Sequence, residues 1–164
     1  MEAFVSKDEL LRRLNQEYMR FNNVLAQMSD AQLVEPNTIG AWSVKDLLAH
    51  FVAHEQRALE ELRYALRGER LVIDHSAGDV FNAQAVSASL SQSLAEVQAA
   101  WDASFQQIVA AVAALTDADF DPEGVVVRAL DDTIDGALGN NTYGHYAEHL
   151  SAVEAYLKKL SFVR

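Results

Sequence analysis

Apolar residues recur at steps of three and four through most of this chain, and that period confines it to helices. After Ser6 they fall at Leu10, Leu14, Tyr18, Phe21, Val24 and Leu25. An α-helix returns to the same side about every 3.6 residues, so this spacing builds one apolar face. Ser6 and Glu9 frame a capping box at its start, which predicts a first helix over residues 7–27. Ser29 to Gln32 reads as a short helical turn, and Pro36, Asn37 and Gly40 as a loop. Ser43 is the next start signal, with Asp46 at the positive end of a helix that continues through Leu47, Leu48, Phe51, Ala58, Leu59 and Leu62. Gly68 fits the left-handed residue that ends such a helix. A third helix is predicted over 81–115, on Leu94, Val97, Trp101, Phe105, Ile108 and Val112, with a kink or break where Ser, Gln and Ala crowd residues 87–93. A fourth runs over 141–160.

Residues 121–138 break the pattern. Pro122, Gly124 and Gly136 surround the β-branched run Val125 to Val127, which as a lone strand would have no partner. The segment reads as a long loop, and long loops in compact domains are often functional. With two prolines and seven glycines in 164 residues, half of them apolar, the expectation is one domain over residues 1–164. Its fold class is all-α, a four-helix bundle with long connecting loops. Such bundles carry metal and cofactor sites on facing helices.

The net charge of −11 at neutral pH argues against a nucleic-acid partner and against an anionic membrane surface. No apolar run approaches the roughly 18 residues of a membrane span, and the N-terminus lacks the pattern of a signal peptide. A cytoplasmic location is expected. There is no cysteine, so a metal would be held by histidine, carboxylate and water, and a thiolate nucleophile would come from a cosubstrate. Phosphate-binding glycine loops and the Gly-x-Ser-x-Gly elbow are absent.

Chemistry concentrates in the histidines. His145 and His149 are four residues apart in the last predicted helix, about 40° apart around its axis. Two imidazoles so placed can grip one metal ion, though the same spacing also occurs on ordinary helix surfaces. His50, in the second helix, is a third candidate. His54 lies one turn beyond it, on nearly the same face, and is open as a replacement or a fourth ligand. His75 falls in a loop and reads as exposed.

Three segments carry a family resemblance: Gly40-Ala-Trp-Ser-Val-Lys-Asp-Leu-Leu-Ala-His50, Asp79-Val-Phe-Asn82-Ala, and Thr142-Tyr-Gly-His145-Tyr-Ala-Glu-His149. Together, and in this order, they resemble the DinB-like (YfiT-like, damage-inducible) metalloenzymes, and the first also looks like the ClbS/DfsB branch. The resemblance implies a four-helix bundle with an unusual link between the second and third helices. It implies a divalent ion, nickel or zinc, on His50, His145 and His149, a homodimer, and a small-molecule substrate. Activities in such proteins include thiol transfer with a low-molecular-weight thiol cosubstrate and, in the ClbS type, hydrolysis of a reactive genotoxin. The place of His50 in the motif favours it over His54, which then reads as pocket lining or surface.

Three neutral imidazoles leave at least one position open on zinc, the pattern of a catalytic site. A cation there would lower the pKa of a water or thiol. The leading expectation is a metal-dependent hydrolase or thiol S-transferase acting on a small electrophile. Alternatives are a non-catalytic metal- or small-molecule-binding helical module, and a helical interaction module in which the histidines merely pack. Trp42 reads as a core anchor or a pocket wall. Tyr143, Tyr146 and Glu148 flank the histidine pair as candidate proton shuttles or ligand partners, although adjacent helix positions face different ways. Asp46 is a helix cap that stands one turn before His50.

Overall fold

The computed structural model describes residues 5–162, the side chain of His75 excepted. Four long helices carry the fold: α1 (Lys7–Leu25), α3 (Val44–Ala65), α5 (Leu94–Ala114) and α8 (Tyr143–Ser161). Between them lie the shorter α2 (Asp30–Leu33), α4 (Gly78–Ala88), α6 (Val125–Leu130) and α7 (Ile134–Gly139). Helix α3 packs on α5, and α1 on α8.

Local sequence sets the boundaries. Ser6 caps α1 by accepting from the Glu9 amide. Full capping boxes open α2, α3 and α5, on Ser29 with Gln32, Ser43 with Asp46, and Ser93 with Glu96. Beyond α3 the Glu69 amide bonds back to the Tyr64 carbonyl at 3.0 Å while Gly68 takes φ +72°. That is the six-to-one bond of a Schellman motif, and it needs a left-handed residue.

One aromatic ring from each long helix meets at the centre: Phe21, Phe51, Trp101 and Tyr146. Phe21 meets Phe51 edge-on at 5.2 Å, Phe51 meets Tyr146 at 5.0 Å, and Trp101 stands perpendicular to Tyr146 at 5.6 Å. Edge-to-face pairs of this kind add about 0.5–1.5 kcal/mol each beyond the area they bury. The four rings lock the bundle at the level where the histidines emerge.

The predicted break in the third helix is real: α4 ends at Ala88 and α5 starts at Leu94. Residues 121–138 are not a long loop. They fold as α6 and α7, separated by a turn in which Asp131 takes φ +57°. The Val125 to Val127 run opens α6, where Val126 is buried against the core. Tertiary burial outweighs its β propensity.

Candidate metal centre

His50 comes from the second turn of α3, and His145 and His149 from the first two turns of α8. His50 and His145 are buried, and His149 is partly so. Their Nε2 atoms converge: His50 to His145 is 2.9 Å, and His145 to His149 is 3.1 Å. One nitrogen from each of the three lies within 4.8 Å of the others. Two nitrogens on one ion, each about 2.0–2.1 Å from it, stand roughly 3 Å apart. The donor set therefore fits a divalent cation in both chemistry and spacing.

The surroundings keep these rings neutral. Burial, then the neighbouring His54 and His149, push His50 down to about 3. Burial, with His54 and His50, pushes His145 to about 2. His149 is lowered too, again mainly by burial. A neutral imidazole is the form that donates a lone pair. The Nδ1 atoms of His50 and His145 are buried and have no hydrogen-bond partner among the described residues. Packing holds these rings instead. Phe51 meets His145 at 5.3 Å and His149 at 5.7 Å, and Trp42 leans on His50 at 5.0 Å. Trp42 is thus both anchor and wall. It reaches His50 from a tight turn in which its amide and carbonyl both bond to Ile39.

His54 faces the same space but does not join the nitrogen cluster. Its Nδ1 lies 3.1 Å from Asn141 Oδ1 and its Nε2 3.0 Å from Asn82 Oδ1. Asn141 donates its own amide to the Ala137 carbonyl at 3.1 Å, which fixes its oxygen toward His54. Both ring nitrogens have polar neighbours: Nδ1 faces Asn141 and the Arg57 guanidinium, and Nε2 faces Asn82. Asn82, in the second resembling segment, thereby ties α4 to the site.

A cavity of about 660 Å³ opens beside the cluster, lined by His54, Arg57, Arg70, Asn141, His145 and Glu148 among others. It draws on α3, α6, α7, α8 and the segment after Gly68. Glu148 reaches this cavity. Tyr143 does not: its hydroxyl donates to Asp135, which also pairs with Arg13 at 3.3 Å on the far side of α8. Asp46 serves the Ser43 cap, accepting from its amide at 2.9 Å. His75 lies outside the described side chains.

Glu55 was not singled out by the sequence, yet it is completely buried, and burial raises its pKa to about 7. It accepts from Trp101 Nε1 at 3.0 Å and from the Tyr146 hydroxyl. The signal was present: a carboxylate on the stripe of Phe51, Ala58, Leu59 and Leu62, where a core residue belongs. Tyr146 is therefore committed to the interior.

An all-α bundle with three histidines converging at the wall of a cavity defines a class of candidate histidine-site helical proteins. A sequence profile of the DinB superfamily matches residues 13–153, and the chain belongs to that superfamily. No curated protein sequence matches it. Solved structures of the same fold include the colibactin self-resistance protein ClbS in complex with a dsDNA, at 15% identity and TM-score 0.79, covering 94% of this chain and 96% of that one. An uncharacterised protein from Escherichia coli UTI89 aligns at 14% identity and TM-score 0.83, over 96% and 95%. The sibling lethal factor precursor DfsB aligns at 13% and 0.81, over 96% and 98%.

The ClbS complex corrects the expectation of no nucleic acid. A protein of this fold has been solved with a duplex. Net charge is a sum over the whole chain, whereas binding responds to the local field. Here Arg57, Arg63 and Arg67 line one groove despite the acidic total. Among the described residues no helix is long and apolar enough to cross a membrane.

Proposed function

We propose that this chain is a metal-dependent hydrolase or thiol S-transferase acting on a small electrophilic molecule, with His50, His145 and His149 as the ligands. The observation that carries the reading is the convergence of three buried or half-buried Nε2 atoms, with depressed basicity, beside a cavity of substrate size. The donor set suits zinc or nickel. A divalent cation there supplies Lewis acidity toward a water or a thiol.

The chain's own residues supply the rest. Phe51 and Trp42 fix the rings and exclude water from their backs. His54, clamped between Asn82 and Asn141, presents a polar wall without competing for the ion. The cavity lining sets Arg57 and Arg70 against Glu61, Asp131, Asp132 and Glu148. With no cysteine in the chain, a thiol nucleophile has to be a cosubstrate. Likeness in fold to a self-resistance protein supports a protective role against a reactive small molecule.

The test is metal content of tag-free protein by mass spectrometry, in wild type and His145→Ala. Near-stoichiometric zinc or nickel, lost in the variant, supports the reading. No metal in wild type after reconstitution with either ion overturns it.

A further inference from the structure

Helix α4 leaves apolar surface open. None of its residues is buried. Val80 is 58% exposed, and Val72, on the segment leading to it, is 88% exposed. Between α4 and the outer face of α3 runs a groove of about 960 Å³. Its α4 side is mainly apolar, with Val80 and Phe81 joined by Ala77 just before the helix and Gln84 one turn on. Its α3 wall carries Arg57, Arg63 and Arg67. Glu60 and Asp74 also line it, so three guanidinium groups face two carboxylates and the lining is one unit positive. That reverses the sign of a chain whose net charge is −11.

The groove borders the histidine cavity. Leu71, Val72 and Ile73 border both spaces, and so does Arg57. The Arg57 guanidinium lies 4.2 Å over the Phe81 ring, with Nη2 3.2 Å from His54 Nδ1. Glu61 is the carboxylate whose charge bears most on it. A guanidinium held over an aromatic face presents a rigid fork of donors, which suits a planar anion such as a carboxylate.

We infer that this groove binds an amphipathic monoanion: a small molecule whose apolar body rests on Val72, Val80 and Phe81, and whose carboxylate or similar acid group is held by Arg57 at the junction with the histidine cavity. The substrate of the proposed chemistry then belongs to this class, its reacting end extending toward His145. Only that last step rests on the metal reading. The groove itself stands on its shape, its apolar wall and its local charge.

The test uses two probes that share one ring system. 1-Anilinonaphthalene-8-sulfonate carries one anionic group, and N-phenyl-1-naphthylamine lacks it. Fluorescence titration of the full chain is expected to give one site per chain that prefers the anionic probe. Arg57→Gln should weaken the anionic probe about tenfold, the size of one charge-assisted contact, and leave the neutral probe unchanged. The double variant Val72→Ser, Val80→Ser, at two exposed positions that the core does not need, should weaken both probes by about tenfold. Probe binding indifferent to both changes overturns the proposal. So does an affinity that falls as the protein is concentrated while a dimer appears in sedimentation velocity, because a second copy then owns the groove. Metal content is measured on the same samples. Metal-free wild type with the probe pattern intact removes the chemistry and keeps the groove; metal retained with indifferent probes removes the groove alone.

Discussion

The Tyr146 hydroxyl donates a hydrogen bond to the Glu55 carboxylate at the buried centre of the bundle, where one helix carries His50 and the other carries His145. Trp101 on α5 donates to the same oxygen, Oε1, at 3.0 Å. Oε2 has no partner among the described residues. Three helices therefore meet on one acidic group just behind the histidines.

This group makes stability depend on pH. Burial raises the folded-state pKa of Glu55 from 4.5 to about 7, against the pull of its hydrogen-bond donors. Between those values the folded state keeps the proton and the unfolded state has lost it. Stability from this group is therefore full below pH 4.5 and declines as pH rises toward 7. Glu55→Gln removes the term. Its unfolding free energy from urea titration should gain on wild type between pH 5 and pH 8 by an amount approaching roughly 3 kcal/mol, with the histidine contributions cancelling in the comparison. A difference between the two proteins that stays constant over that range would show that Glu55 does not retain its proton on folding.

The ligand set predicts opposite outcomes for two histidines on different helices, His149 on α8 and His54 on α3. His149 contributes to the nitrogen cluster; His54 has both ring nitrogens on amide oxygens. His149→Ala should lose bound metal, with affinity falling by a hundredfold or more, about 3 kcal/mol. His54→Ala should keep it at the wild-type stoichiometry. Titration with cobalt, followed by its visible absorption, reads both. Metal lost equally from the two variants would make His54 a ligand.

The long helices and the histidine pair were legible because they repeat a short rule. Apolar residues at steps of three or four, with Ser6 and Ser43 before them, place α1 and α3 to within two residues of their observed starts and ends in most cases. Residues 121–138 were not legible for a matching reason. Helices α6 and α7 span six residues each, less than two turns, too short for a period to declare itself. Their stability comes from burying Val126, Leu130, Ile134 and Leu138 against the bundle, which the local sequence does not announce. The direction of Tyr143 and Tyr146 was equally hidden. Both neighbour a histidine in sequence, but helical geometry sends one to Asp135 and the other to Glu55.

Gly144, between Tyr143 and His145, is required by a close approach. A Cβ there would stand 2.8 Å from the Gly139 carbonyl oxygen, a backbone atom of α7 that has no rotamer to change. Gly144→Ala should cost about 1–3 kcal/mol and shift the first turn of α8, weakening metal retention with it. Gly136→Ala is the control. The atoms nearest its Cβ would be those of the Asp132 carboxylate, at 2.4 Å and beyond, the end of a flexible exposed side chain. Thermal unfolding should show that variant within about 0.5 kcal/mol of wild type. Equal losses in both would mean that α7 and α8 do not depend on this contact.

The histidines impose a second pH dependence, opposite in direction to that of Glu55. Burial holds the folded-state pKa of His50 near 3 and of His145 near 2, against an ordinary value of 6.5. Above 6.5 both states are neutral, and the cluster carries no cost from protons. As pH falls below 6.5 the unfolded chain takes up protons that the folded chain refuses, so stability is lost progressively toward pH 3. In metal-free protein, kept so with chelator, the urea midpoint should drop more steeply between pH 6.5 and pH 4 in wild type than in His50→Asn, which removes one buried imidazole. Bound metal deepens the contrast, since protons and the cation compete for the same Nε2 lone pairs. Metal-loaded protein should begin above the metal-free form in stability at pH 7 and converge with it on acidification. Parallel slopes in wild type and His50→Asn would mean that His50 is not buried as a neutral ring.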